Sequence, residues 1–181
     1  MARQLHAAVI AESMFGNTRS VADGVAAGIE LEGATVDLMS VAEAPPLDSV
    51  HADLIVVGAP THAFSLSRRP TREDAVKQGA PAEAAGGPGL REWIDAASDD
   101  GGGRLVAVFD TRVAKIKHLP ANAAHRAHRM LERRGYVSVV RPAGFLVADV
   151  KGPLLPDQLE QATAWGRTVA VAAQNRMATS P

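Results

Sequence analysis

The stretch Ser13-Met14-Phe15-Gly16-Asn17-Thr18 follows a run of apolar residues and leads into a helical pattern. The first turn of a helix leaves backbone N–H groups without intrahelical partners and carries partial positive charge, so it is suited to an anion. Gly16 lets a ligand approach the backbone closely, and Ser13, Asn17 and Thr18 offer short polar side chains. The stretch therefore predicts a phosphate-binding turn, with an ordinary helix cap as the plainer alternative.

The spacing of this turn excludes two common nucleotide sites. No lysine follows Gly16, so the turn is not the loop that binds nucleoside triphosphates. The glycine spacing also differs from the fingerprint that binds dinucleotides. A phosphate monoester is the ligand class that remains.

Length and composition limit the number of domains and the classes of ligand and partner. The chain has 181 residues, of which 46% are hydrophobic, and this predicts one globular domain over residues 1–181. The formal net charge of -1 gives no reason to expect nucleic acid as a partner. Cysteine is absent from the sequence, which excludes disulfides and thiolate metal sites. No apolar run approaches the roughly 20 residues of a membrane helix, so no membrane insertion and a cytoplasmic location are expected.

One histidine pair has a spacing that could bind a metal ion. His125 and His128 are separated by three positions, which places them on the same side of a helix. No carboxylate or third ligand is evident nearby in the sequence. A solvated helix face is therefore the preferred interpretation, and no metal is predicted.

Strand-like and helix-like segments alternate along the chain, and this predicts an α/β fold with a parallel sheet covered by helices on both faces. The strand-like segments are at residues 5–11, 35–39, 54–58 and 105–109, with a last strand that a proline splits into residues 136–140 and 144–147. A long polar loop is predicted between Phe64 and Gly89, and a connection of this length is unusual unless it is functional or mobile.

Three predicted loops carry the unusual residues of the chain. They follow the first, third and fourth strands, at residues 13–18, 60–64 and 110–112. Since the carboxyl ends of parallel strands meet at one edge of the sheet, these loops are expected to form a ligand site where the strand order reverses.

On these residues the chain resembles the flavodoxin family over nearly its whole length. The sequence Gly16-Asn17-Thr18 is similar to the second half of that family's phosphate loop, whereas Phe15 replaces the usual threonine. The segments Lys151-Gly152-Pro153-Leu154 and Trp165-Gly166 also resemble the tail of single-domain flavodoxin-like proteins. The resemblance implies a flavodoxin-like three-layer α/β/α sandwich, with a five-stranded parallel sheet in the order 2-1-3-4-5.

The resemblance further implies FMN as the cofactor. Residues 13–18 would bind its phosphate, residues 60–64 would lie against one face of the isoalloxazine, and residues 110–112 would approach the pyrimidine edge. The cofactor-binding residues so predicted are Ser13, Met14, Phe15, Gly16, Asn17, Thr18, Pro60, Thr61, His62, Ala63, Phe64, Asp110, Thr111 and Arg112. The pyrimidine-side loop has no tyrosine and the net charge is near zero, which predicts a less negative redox potential than that of a low-potential shuttle.

Three functions stay open at this point. The first is an FMN-binding electron-transfer protein that carries electrons between a reductase and a redox acceptor. The second is an FMN-dependent oxidoreductase that acts on quinones or another small substrate, with catalytic residues unassigned. The third is a cofactor-free binding module, which the replacement by Phe15 keeps open. Whether the chain forms a homodimer is also left open.

Several residues have two interpretations. His62 could donate a hydrogen bond or a proton at the flavin. Alternatively, it is a solvated loop histidine. Phe64 either packs on the flavin or anchors its loop, and Asp110 either meets the flavin edge or caps a turn. The arginines of the long connection gate the site, bind an anionic substrate or hold the connection to Glu73 and Asp74; they are Arg68, Arg69 and Arg72.

Overall fold

The computed structural model describes residues 3–98 and 100–179. Its strands are β1 (His6–Ala11), β2 (Thr35–Ser40), β3 (Leu54–Pro60), β4 (Leu105–Val113), β5 (Val137–Ser138) and β6 (Ala143–Val147). Its α-helices are α1 (Asn17–Leu31), α2 (Arg69–Lys77), α3 (Leu90–Asp95), α4 (Ala123–Arg133) and α5 (Gln158–Thr179). No helix among these residues is both long enough and apolar enough to cross a membrane.

The strands form one parallel sheet in the order β2-β1-β3-β4-β5, which confirms the predicted order. In its centre, Val9 of β1 lies opposite Leu38 of β2 on one side and Val56 of β3 on the other. The fifth position is shared by two short strands. Residues 105–106 of β4 pair with β5, and residues 109–113 pair with β6. The sixth strand is thus the second half of the split strand, beyond the break at Pro142.

Helices cover both faces of the sheet, which explains why the central strands are continuous apolar runs. One face packs against α1 and α5, and the other packs against α3 and α4. The close approach of α1 and α5 depends on glycine. A Cβ at Gly28 would lie 2.1 Å from the carbonyl oxygen of Thr163, and one at Gly166 would lie 2.3 Å from that of Val25.

The segment between Phe64 and Gly89 is not a connection without regular structure, so that prediction was wrong. It contains α2 and a 3-10 turn at residues 82–84. Helix α2 is largely polar and buries only Arg72 and Ala75, so it lacks the apolar repeat that normally identifies a helix in a sequence.

The predicted loops after the third and fourth strands begin later than expected. Pro60 is the last residue of β3, and residues 110–112 lie inside β4. The reason is pairing: Pro60 lies opposite Thr111, and β6 supplies a partner for the second half of β4. The polar residues at these positions therefore project from strands with fixed backbone, which positions their side chains more firmly than a loop would.

Candidate functional site

A cavity of about 360 Å³ lies at the carboxyl ends of β1, β3, β4 and β6. This volume is within the range of roughly 300–1,000 Å³ that small-molecule sites occupy. The cavity is lined by Met14, Phe15, Asn17, Thr18, Pro60, Thr61, His62, Ala63, Phe64, Thr111, Arg112, Val113, Lys115, Ile116, Val147, Asp149 and Val150. The structure thus brings together eleven of the fourteen sequence-predicted site residues, whereas Ser13, Gly16 and Asp110 do not line the cavity.

The turn at residues 13–18 ends at the N-terminus of α1. Gly16 precedes the helix with a φ of 88°, in the left-handed region, and a Cβ there would meet no atom within 4 Å. The amide groups of residues 14–18 donate no hydrogen bond to any atom in the described part of the chain. The Ser13 hydroxyl accepts from the amide of Arg19 at 3.2 Å and so caps the helix. A run of free amides at a helix start is the donor set that a phosphate group requires.

Two threonines join the turn to the sheet. The hydroxyl oxygens of Thr18 and Thr111 are 2.8 Å apart, and both residues are buried. Each hydroxyl carries one proton, and this bond uses only one of the two. One hydroxyl proton of the pair therefore remains available to a ligand or another acceptor. Thr18 and Thr111 together supply this donor at the site.

Asp110 is fully buried beneath the cavity wall. Its carboxylate accepts hydrogen bonds from Nε and Nη2 of Arg112, at 2.9 and 2.6 Å, and from the Thr61 hydroxyl at 2.7 Å. Burial raises the pKa of Asp110, and the charge of Arg112 and the bond from Thr61 oppose that rise. Through these hydrogen bonds, the carboxylate of Asp110 orients Thr61 and Arg112, which do line the cavity.

Arg112 lies along the cavity wall, held from behind by Asp110. Its guanidinium passes over Gly144 in β6, where an added Cβ would lie 2.2 Å from Nη2. The absence of a side chain at Gly144 is therefore a condition for this placement of a positive charge at the site.

The segment after β3 forms a tight reverse turn. The backbones of His62 and Ser65 exchange two hydrogen bonds, at 2.8 and 2.9 Å. The two residues between them have positive φ, 44° for Ala63 and 63° for Phe64, which is unusual for residues other than glycine. This conformation presents Phe64 at the cavity rim with 49% of its surface exposed. Strain of this kind is often found at functional sites.

His62 lines the cavity beside this turn. Burial, and to a lesser extent the charge of Arg72, lower the pKa of His62. Its imidazole is therefore neutral at neutral pH, with one nitrogen that donates and one that accepts a hydrogen bond.

The part of the cavity wall formed by the end of β6 and the residues after it was not predicted from the sequence. Val147, Asp149 and Val150 line the cavity because β6 ends at the same edge of the sheet as the other strands. The Asn17 side chain fastens this wall to the first turn, since its amide donates to the carbonyl oxygen of Lys151 at 3.1 Å. The same rule on carboxyl ends that identified the other loops would have identified this one.

The arginines of the long connection have structural roles. Arg72 is buried and donates to Ser67 at 3.0 Å and to Glu92 at 3.2 Å. Arg69 pairs with Glu73 at 2.9 Å. Of the three alternatives for these residues, the contacts support fastening of the segment, although Arg72 does so through Glu92 rather than through Glu73 or Asp74.

The buried end of this network is Glu12, the residue after β1. Its carboxylate accepts from the Ser67 hydroxyl and, at 2.8 Å, from the amide of Leu90. Burial raises the pKa of Glu12, and these two hydrogen bonds and the charge of Arg72 oppose the rise. The network thus ties both ends of the 64–89 segment to the first strand.

The histidine pair on α4 forms no metal centre in residues 3–98 and 100–179, where no group of three potential metal ligands occurs. His128 pairs with Glu132 at 3.2 Å, and His125 contacts its own helix cap, Asn122.

The residues present fit a flavin mononucleotide. The free amides of residues 14–18 suit its phosphate, and the shared hydroxyl of Thr18 and Thr111 adds a donor nearby. The remaining wall is largely apolar, which suits the ring system.

Comparisons with known proteins agree with this geometry. No protein-family model matches the chain, and no curated protein matches its sequence. Among solved structures, an archaeal flavodoxin is 18% identical, with a TM-score of 0.66 over 94% of this chain and 99% of its own. Oxidised flavodoxin 2 from Bacillus cereus is 19% identical, with a TM-score of 0.62 over 94% and 99%. The rubredoxin:oxygen oxidoreductase of Desulfovibrio gigas is 16% identical, with a TM-score of 0.60 over 97% of this chain and 37% of its own.

Because these structures are less than 20% identical to this chain, the similarity is evidence for the fold alone. Together with the sheet order and the cavity at the reversal of that order, it shows that this protein has the flavodoxin fold.

Proposed function

We propose that the protein binds FMN in this cavity and carries electrons between a reductase and a redox acceptor. The observation that carries the proposal is the turn at residues 14–18, whose free amides open into a largely apolar cavity at the reversal of strand order. Bound FMN supplies one- and two-electron redox chemistry, which the chain's own side chains lack.

The chain's residues bind and orient the cofactor. The amides of residues 14–18 hold the phosphate, and the helix dipole of α1 favours its charge. Thr18 and Thr111 offer one further hydroxyl proton. Phe15, Phe64 and Val150 would offer apolar surface to the ring system and leave one edge of it accessible.

The cavity is open at its rim, as a carrier requires. Phe64 and Val150 line it and have 49% and 51% of their surfaces exposed. A partner protein that covers these residues comes into contact with the cavity contents without any rearrangement of the sheet. Electron transfer through an exposed rim is thus the role that the shape supports best.

A second candidate is an FMN-dependent oxidoreductase acting on a quinone or another small substrate. A further cavity of about 440 Å³ shares Phe15, His62, Ala63 and Val150 with the first. Neutral His62, on the shared wall, is suited to exchanging a proton with a substrate there. An enzyme of this kind oxidises its reduced cofactor with quinone alone, whereas a carrier needs a protein partner at both steps.

The phosphate assignment is tested at Gly16. A side chain has room there, and asparagine and aspartate tolerate positive φ better than most residues. Gly16→Asp adds a carboxylate beside the free amides, and Gly16→Asn is its uncharged control. Titration by fluorescence quenching should show FMN at least about tenfold weaker with the aspartate than with the asparagine, because two like charges repel.

Riboflavin, which lacks the phosphate, should bind equally to both Gly16 variants. An equal loss of FMN and riboflavin would place the phosphate elsewhere. No binding of either flavin to the unaltered protein would favour the third candidate, a cofactor-free binding module.

A further inference from the structure

The rim of the cavity combines exposed apolar surface with charge. Phe64, on the reverse turn after β3, and Val150, after β6, both line the cavity and are about half exposed. Large apolar side chains cost free energy when they face water, so two of them at one opening indicate a surface that another molecule covers.

Four cations lie close in the chain to these two side chains or to other residues of the cavity wall. Arg68 is four residues after Phe64, and Lys151 is next to Val150. Lys115 lines the cavity, and Lys117 follows Ile116, which also lines it. All four are exposed, and none forms an ion pair with a carboxylate of the described residues. The one acidic residue that lines the cavity is Asp149, whose Oδ1 accepts from the amide of Val150.

Some exposed cations elsewhere in the chain do have acidic partners. Arg19 pairs with Asp23 at 3.3 Å, and Arg167 pairs with Glu32 at 2.6 Å. The chain as a whole has a formal charge of -1. The rim is therefore locally positive on a molecule that is nearly neutral overall.

We propose that this rim, defined as Phe64, Arg68, Lys115, Lys117, Val150 and Lys151, is the docking surface for an acidic protein partner. The inference rests on the proposed function, for which it names the charge of the partner. An apolar centre with charged residues around it is the usual anatomy of a protein interface. The cations attract an acidic surface over a distance of about the Debye length and speed the encounter.

The other basic surface of the chain is a weaker candidate. Helix α4 exposes Arg126, Arg129 and Arg133, but none of its residues is a large exposed apolar side chain. It thus has charge without the apolar centre that gives an interface its affinity. Because α4 has the charge but no large exposed apolar side chain, it is a control for the rim.

The experiment is a titration of the isotope-labelled full chain followed by amide NMR signals, with and without FMN. The acidic probe is a plant-type ferredoxin, and the basic probe is a cytochrome c. The ferredoxin should perturb amides at residues 63–68, 115–118 and 149–152, and the cytochrome should not. Raising the salt from about 20 to about 200 mM should weaken ferredoxin binding at least tenfold, because exposed charges are then screened.

Two double variants locate the surface. Lys117→Glu with Lys151→Glu alters the rim at residues that do not line the cavity, and Arg129→Glu with Arg133→Glu makes the same charge change on α4. The rim variant should weaken ferredoxin binding at least tenfold and leave FMN affinity unchanged. The α4 variant should bind ferredoxin within about twofold of the unaltered protein.

Three results would overturn the proposal: no perturbation of the rim by ferredoxin, equal perturbation by both probes, or a larger loss in the α4 variant. Because the titration is also made without FMN, these results are separate from a failure to bind the cofactor. If ferredoxin binds at the rim but the protein takes up no FMN, the docking surface would be supported and the proposed electron-transfer function would be contradicted.

Discussion

The hydroxyl oxygen of Thr18, in the first turn of α1, lies 2.8 Å from that of Thr111 in β4, and both side chains are buried. This contact joins two segments that are 93 residues apart in the chain. It fixes the turn at residues 13–18, the proposed phosphate site, against β4, in which the next residue, Arg112, places a positive charge at the cavity. The site is therefore built on the sheet rather than on independent loops.

This relationship predicts the outcome of a double-mutant cycle. Thr18→Val leaves the buried Thr111 hydroxyl without its partner, so the free energy of unfolding should fall by about 1–3 kcal/mol. Adding Thr111→Val removes the orphaned group, and the double variant should lose less than the sum of the two single variants. Urea unfolding measures all three values. Additive losses would show that the two hydroxyls do not interact.

The ion pair beneath the cavity predicts a pH dependence. Arg112→Gln removes the cation that lowers the pKa of buried Asp110, so that pKa rises further in the folded variant. The folded variant then binds more protons than its unfolded chain, and its stability falls as pH rises above the ordinary carboxyl range. The loss relative to the unaltered protein should be about 3–5 kcal/mol at pH 8 and clearly smaller at pH 5.

Denaturant unfolding at the two pH values measures this difference. Arg69→Gln is the control, because its pair with Glu73 is exposed and worth at most about 1 kcal/mol. A loss in Arg112→Gln that is the same at both pH values would contradict the account.

The reverse turn predicts a stabilising substitution. Ala63 has a φ of 44°, which costs an L-residue roughly 1–2 kcal/mol, whereas glycine adopts it freely at an entropic cost of about 0.5–1 kcal/mol. Ala63→Gly should therefore raise the free energy of unfolding by up to about 1 kcal/mol. In the control Ala96→Gly, where φ is -75°, glycine should lower it. Destabilisation by both substitutions would mean that the turn is not strained.

The close contact between α1 and α5 predicts that replacing a helical glycine by alanine destabilises this protein, although the same change stabilises most helices. Replacement of glycine by alanine inside a helix normally stabilises it by about 1 kcal/mol. At Gly28 the added methyl group would lie 2.1 Å from the Thr163 carbonyl oxygen, so Gly28→Ala should destabilise the protein by about 1–3 kcal/mol. Glu30→Ala, on the exposed side of α1, should change stability by less than about 0.5 kcal/mol. Thermal unfolding distinguishes the two, and a stabilised Gly28→Ala would contradict the packing.

The parts of the fold that could be predicted from sequence are those with a local physical signature. β1 and β3 are buried on both faces, so they appear as continuous apolar runs. Gly16 and the polar residues around it identify the turn, because a helix start has free amides whatever the rest of the chain does. Because the carboxyl ends of parallel strands meet at one edge of the sheet, the segments that follow β1, β3 and β4 could be predicted to lie close together.

The parts that could not be predicted depend on distant partners. α2 was missed because its buried Arg72 is neutralised by Glu92 and lies beside Glu12, and neither acid is close in sequence. Residues 110–112 looked like a loop because nothing local shows that β6 extends the pairing of β4. The role of Asp110 as a buried support for Arg112 follows from that same pairing.

Binding of FMN by this protein is tested most simply by the visible absorption spectrum of protein purified from cells grown with ample riboflavin, followed by FMN titration of its colourless fraction. The purified protein should show the absorption bands of oxidised flavin. The fluorescence of FMN should be quenched as the colourless fraction takes up the cofactor. A colourless protein that takes up no FMN at high micromolar concentration would contradict the account, because the free amides of residues 14–18 would then hold no flavin phosphate.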